Sequence, residues 1–96
     1  MVLNFRVLPQ AMLDIADAIE WLEAEAGTKT RDRFIKDYVA TRNKACKFPK
    51  LYAPFYKDLR KFRFSKFSYK LIYRIEDDTI LIVAVAHDAR SDYWKD

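Results

Sequence analysis

The only glycine in this chain, Gly27, sits between two segments that both repeat with the period of an α-helix. That arrangement constrains the fold more than any other feature. From Pro9 to Ala26, Met12, Ile15, Ile19, Leu22 and Ala26 recur at three-and-four spacing and make one apolar stripe. Asp14, Asp17 and Glu20 lie off it and read as the solvated face. Pro9 belongs in a first helical turn, and Gly27 suits a left-handed helix end. Thr28 or Thr30 can cap a second helix, which ends near Phe48 because Pro49 disfavours helical geometry before it. Phe34, Tyr38, Ala45 and Phe48 supply its inner face, widened by Ile35 and Val39. Two long helices joined so tightly form an antiparallel hairpin, whose apolar side needs a cover.

The flanking segments supply that cover. Val2 to Val7 alternates as a half-buried strand. Leu59 to Phe64 sets Phe62 and Phe64 opposite Lys61 and Arg63. Tyr69 to Glu76 sets Tyr69, Leu71, Tyr73 and Ile75 opposite Lys70, Ile72 and Arg74. Asp77-Asp78 makes a tight turn, and Thr79 to Ala86, apolar on both faces, is the central strand. The fold class is therefore α+β, in the order β-α-α-β-β-β: a helix hairpin on one face of a mainly antiparallel four-stranded sheet. With 96 residues and no linker, residues 1–96 form a single domain.

Composition removes several functional classes. One cysteine, Cys46, allows no internal disulfide and reads as a buried apolar side chain in a reducing compartment. One histidine and one cysteine give no metal-ligand spacing, and a lone glycine makes no phosphate loop, so neither metal nor cofactor is expected. No apolar run approaches the about 20 residues of a membrane span, and the first ten residues do not read as a signal peptide. The expected location is cytoplasmic.

The charge is unevenly spread. Met12 to Ala26 carries five acids and no base. Arg42 to Arg74 carries eleven bases against one acid, Asp58, with aromatic residues between them. Such a field draws polyanions or an acidic protein surface. On the residues alone it fits a nucleic-acid-binding module or a solubilising face. The sheet face carrying Lys61, Arg63, Lys70 and Arg74 is expected to be a basic concavity. After the last strand, His87, Arg90, Tyr93 and Trp94 follow one another quickly, where strand ends commonly place function. They also admit a packing role for His87, Tyr93 and Trp94.

Three segments, DLRKFRF (Asp58 to Phe64), YKLIYRIEDDTILIVAVAH (Tyr69 to His87) and ARSDYW (Ala89 to Trp94), resemble the core of the RelE/ParE toxin superfamily. The likeness covers nearly the whole chain. It implies the toxin half of a type II toxin–antitoxin pair, which arrests growth and is neutralised by a cognate antitoxin protein folding onto it. One branch resembles ribosome-dependent mRNA endonucleases, and the other, ParE-like branch resembles inhibitors of DNA gyrase with no chemistry of their own. Lys61 and Arg63 fall on the family's basic strand, and Arg90 on a C-terminal arginine. Lys70 stands in place of an arginine, Trp94 in place of a tyrosine, and Asp88 where the nuclease branch would carry a catalytic arginine. The ending His87-x-x-Arg90, then Tyr93-Trp94, favours the ParE-like branch. The implied reading is a gyrase inhibitor rather than an enzyme, with ribosome and mRNA as the alternative target. Its target-binding residues would be Arg60, Lys61, Arg63, Lys70, Arg74, His87, Arg90, Tyr93 and Trp94, with no catalytic residue assigned.

Overall fold

The computed structural model describes residues 2–90 and 92–95. Its elements are β1 (Asn4–Val7), α1 (Pro9–Ala26), α2 (Thr28–Lys47), β2 (Arg60–Arg63), β3 (Tyr69–Glu76) and β4 (Thr79–His87). They build two helices on a four-stranded sheet of order β1-β4-β3-β2. β2 and β3 pair antiparallel, as do β3 and β4, whereas β1 runs parallel to β4 from Asn4 opposite Thr79 to Val7 opposite Ile82. No helix among the described residues is long and apolar enough to cross a membrane.

Backbone chemistry sets the hairpin. Pro9 opens α1, where its missing N–H costs nothing. Gly27 alone separates the helices, with φ 89° and ψ 175°, a region essentially reserved for glycine but distinct from the left-handed helical turn expected. A Cβ there would meet nothing within 4 Å, so the glycine is needed for its torsion and not for space. Neither Thr28 nor Thr30 caps α2; Gly27 is the N-cap and makes no side-chain bond.

The buried stripe of α1 also differs from the expected one. Ala11, Asp14, Ala18 and Leu22 face inward, Ile15 and Ile19 are half-buried, and Met12 is 58% exposed. Small Ala11 and Ala18 let the helix backbone approach the sheet. The rotation carries Asp14 into the interior, where it is 4% exposed. On α2 the buried residues are Phe34, Asp37, Tyr38, Thr41, Ala45 and Cys46. Phe48, expected on the inner face, is exposed, because the chain leaves the helix there with φ −127°.

Phe34 is the hub of the core, fully buried between helix and sheet. Its ring lies 5.4 Å from Phe64 (stacked), 5.4 Å from Phe67 and 5.0 Å from Tyr69 (both edge-on). Phe62, Leu71, Tyr73, Ile80, Ile82 and Val85 complete this helix-facing layer. A second, smaller cluster lies on the other sheet face: Leu59, Ile72, Ala84 and Ala86, with Tyr56, Val83, Tyr93 and Trp94 against it. A register shift beside Ile72/Tyr73 reconciles the two. Ile72 pairs with Ala84 and Tyr73 with Ile82, so Val83 is the extra residue of a bulge and the phase of β4 changes there.

Candidate functional site

Alternation along β2 and β3 places Lys61, Arg63, Lys70 and Arg74 on the sheet face away from the helices. Arg63 lies directly across from Lys70, a like-charge pairing that is unfavourable by itself. Asp88, just beyond β4, forms an ion pair with Arg63 and relieves it. The Asp88 backbone N–H donates to the Ser68 carbonyl at 2.9 Å, fixing the chain at this point. Asp88, which stands where the nuclease branch would carry a catalytic arginine, is therefore committed to Arg63.

Lys61 and Lys70 have no ion-pair partner among the described residues and lie instead against aromatic rings. The Lys61 ammonium is 4.8 Å from the centre of Phe55, and Lys70 is 5.9 Å from Trp94. Trp94 is packed edge-on to Phe55 at 5.2 Å and Tyr56 at 6.1 Å, with the Lys95 ammonium at 5.5 Å. Such contacts are each worth about 0.5–1 kcal/mol when exposed. Together they set a row of rings and ammonium groups over the small side chains of Ala84 and Ala86.

The neighbouring aromatic, Tyr93, is anchored elsewhere. Its hydroxyl donates to Asp14 Oδ2 at 2.7 Å. Asp14 also accepts from the Val85 N–H at 2.9 Å and from Gln10 Nε2 at 2.9 Å. β1 pairs with β4 only as far as Ile82, so beyond it the carboxylate supplies an acceptor that no strand provides. Burial first, and the hydrogen bond to the Asp14 carboxylate second, push the Tyr93 phenol well above its ordinary range. Tyr93 and Trp94 thus tie the tail to α1 and to the outer sheet face.

Asp37 does the same for the β2–β3 turn, accepting from the Ser65 N–H at 3.1 Å and the Lys66 N–H at 2.7 Å. A carboxylate holding backbone donors is a strong, geometrically specific clamp. The sequence reading missed both clamps. A usable signal was present: each acid sits among positions that repeat at helical spacing with buried partners, Ala11-Asp14-Ala18-Leu22 and Phe34-Asp37-Thr41-Ala45.

His87 and Arg90 occupy a different place from the lysines. β4 after the bulge turns His87 to the helix side, where its ring meets Tyr69 edge-on at 4.9 Å. Its Nδ1 accepts the Ala89 N–H at 3.0 Å, which fixes Nδ1 as the acceptor nitrogen. Both residues border a cleft of about 590 Å³ whose α1 wall carries Asp14, Asp17, Glu20 and Trp21. The Arg90 guanidinium lies 4.6 Å from the Tyr93 ring centre. Arg60, in register with Tyr73, is turned away from Lys61 and donates to the Tyr52 carbonyl at 2.7 Å.

The nine residues expected to bind the target therefore do not share one surface. Lys61, Arg63, Lys70, Arg74 and Trp94 share the outer face. His87 and Arg90 border the α1 cleft. Arg60 supports the 51–56 loop, and half-buried Tyr93 serves as a tether to Asp14. Among the described residues, no three His, Cys, Asp or Glu side chains come together as a metal site. Cys46 is buried, and burial pushes its thiol up, away from the reactive thiolate.

A family model described as the ParE toxin of type II toxin–antitoxin systems matches residues 5–92. No curated protein sequence matches the chain significantly. Among solved structures, one titled as the chromosomal ParDE toxin–antitoxin system from P. aeruginosa shares the fold. It superposes with a TM-score of 0.78 at 11% identity, covering 90% of this chain and 96% of that one.

Proposed function

This chain belongs to the ParE toxin family of type II toxin–antitoxin systems, and on that premise we propose that it arrests growth by inhibiting DNA gyrase and is neutralised by a cognate antitoxin. The observation that carries the gyrase reading is that His87 lies away from the basic outer face and among carboxylates. RNA cleavage asks for an acid–base pair beside a cationic group that takes the developing phosphate charge. Here His87 shares its cleft with one cation, Arg90, and the α1 wall carries Asp14, Asp17 and Glu20, whose carboxylates oppose a phosphate. Lys61, Lys70 and Arg74 are on the opposite sheet face. A binding inhibitor needs no such constellation. It needs a rigid surface with charge and anchored aromatics, the side chains that dominate interfaces, and the face around Trp94 has both.

The antitoxin reading rests on the helix hairpin, where Met12, Leu13, Trp21 and Ile35 are exposed large apolar side chains. An amphipathic antitoxin segment lying along the hairpin and across the sheet edge would cover them and stabilise the toxin by mass action. The setting is the cytoplasm, and the working unit is one domain over residues 1–96.

Expression of the chain alone in bacteria tests the first part. Growth should stop, and co-expression of the antitoxin from the neighbouring gene should restore it. Harmless accumulation of folded protein would contradict the proposal. Trp21→Ala and Leu13→Ala should weaken antitoxin binding. If they leave it untouched while reversals at Lys61 and Arg63 abolish it, the docking surface is the outer sheet face. Cleavage of mRNA in the ribosomal A site with supercoiling unaffected would replace gyrase by the ribosome.

A further inference from the structure

The 51–56 loop, the end of α2 and the β2 edge enclose a cleft of about 380 Å³ lined by Lys44, Tyr52, Phe55, Lys61, Phe62 and Arg63. Among the described residues no carboxylate lines it. Lys44 and Lys61 have no ion-pair partner among the described residues, while Arg63 is shared with Asp88. Two of the rings are displayed: Tyr52 is 53% and Phe55 36% exposed.

The rings are also held in place. Tyr52 packs edge-on against buried Phe62 at 5.2 Å, and its carbonyl accepts from Arg60 at 2.7 Å. The Phe55 N–H donates to the Leu59 carbonyl at 2.9 Å, and the Leu59 N–H returns a bond to the Tyr56 carbonyl at 2.9 Å. Exposed aromatic rings fixed by their own backbone lose little freedom when a ligand covers them, so they make an efficient binding platform. Phe55 continues into the Trp94 ring at 5.2 Å, beside Lys70 and Lys95. The cleft therefore opens onto a second platform of the same chemistry.

From these features we infer that this cleft is a binding subsite for single-stranded nucleic acid, with a base on the Tyr52 and Phe55 rings and its phosphates on Lys44, Lys61 and Arg63. Single-strand sites combine these two elements: a cationic groove along the backbone, and rings on which unpaired bases stack. The volume lies at the small end of ligand sites, where one nucleotide of a longer strand fits and a large free ligand does not. An acidic peptide would use the cations and leave the rings idle; a nucleotide uses both. Duplex DNA keeps its bases stacked and offers the rings nothing. The inference goes beyond the toxin reading and stands independently of the identity of the target, since it concerns a direct ligand of this chain.

The test is fluorescence anisotropy of the purified full chain with a labelled oligothymidylate of about 12 nucleotides, titrated at several salt concentrations. Binding should be tighter than to a duplex of the same length. Tyr52→Ala and Phe55→Ala should each weaken it roughly 5- to 100-fold. Lys44→Gln and Lys61→Gln should each flatten the plot of log affinity against log salt by about 0.7. Tyr52→Leu keeps the apolar bulk without the π face, so it should lose affinity with the fold intact, as checked by circular dichroism. Absence of binding at low salt would overturn the inference. So would equal binding of duplex with no effect of the ring substitutions, or capture of a Glu- and Phe-containing peptide in place of the oligonucleotide.

Discussion

The two faces of the sheet come from alternate residues of the same strands, yet they are built to different ends. The helix face is filled by large rings around Phe34, with Phe64, Phe67 and Tyr69 at 5.0 to 5.4 Å. The outer face has small residues at its centre, Ala84 and Ala86, and a tail laid over them by Trp94. One face gains its energy from burial, which scales with apolar area removed from water. The other keeps its charges where solvent or a partner can reach them, and holds the aromatic groups among them in fixed positions. Stability and function should therefore separate cleanly by face.

The largest effect belongs to the helix face. Phe34→Ala leaves a cavity among three rings and should cost about 3–5 kcal/mol, read as a fall in the denaturant midpoint. Toxicity should vanish with the fold. A loss below about 1 kcal/mol would mean that the aromatic cluster is not the stability centre.

The tether between the faces comes next. Asp14→Ala strands the Val85 N–H and the Tyr93 hydroxyl, at about 1–3 kcal/mol for each group left unsatisfied. Tyr93→Phe removes one hydrogen bond and should cost about 0.5–1.5 kcal/mol. A double-mutant cycle should show coupling between the two. Strictly additive losses would mean that the tail is not held by this bond.

A smaller effect appears at high pH. Burial raises the Tyr73 phenol from 10.0 to about 12, and its hydroxyl donates to the Pro49 carbonyl at 2.8 Å. A folded-state value above the unfolded one contributes stability in full below pH 10 and loses it as the pH climbs toward 12. Tyr73→Phe should make the alkaline decline in stability shallower, as followed by urea melts at stepped pH. An unchanged slope would remove Tyr73 from the account.

The smallest effect on stability should come from the outer face. Lys61→Ala or Lys70→Ala should shift stability within about 0.5 kcal/mol and yet reduce toxicity. Either change melting the protein would break the division between the faces.

Much of this architecture was legible because it rests on local periodicity. The bounds of α1 and β3 follow from the apolar spacing and from Pro9, Gly27 and the Asp77-Asp78 turn. What stayed hidden depends on residues far apart in sequence. The spacing Ala11-Asp14-Ala18-Leu22 can mark Asp14 as an inward position, but not its partners Val85 and Tyr93, which lie 71 and 79 residues later. Asp37 meets its donors 28 and 29 residues on. The bulge at Val83 was equally silent, because a strand apolar on both faces carries no phase to disturb. That bulge turns His87 toward the helices and away from the lysines, so it separates groups that a regular alternation would have left together.

Supercoiling by DNA gyrase tests the central claim most directly, since the proposed function turns on the outer face and not on His87 chemistry. Purified protein should inhibit the supercoiling of relaxed plasmid. Trp94→Ala and the double charge reversal Lys61→Glu/Lys70→Glu, each confirmed folded by a thermal melt, should relieve that inhibition, and His87→Ala should retain most of it. Full inhibition by the folded outer-face variants, with loss on His87→Ala alone, would contradict the account.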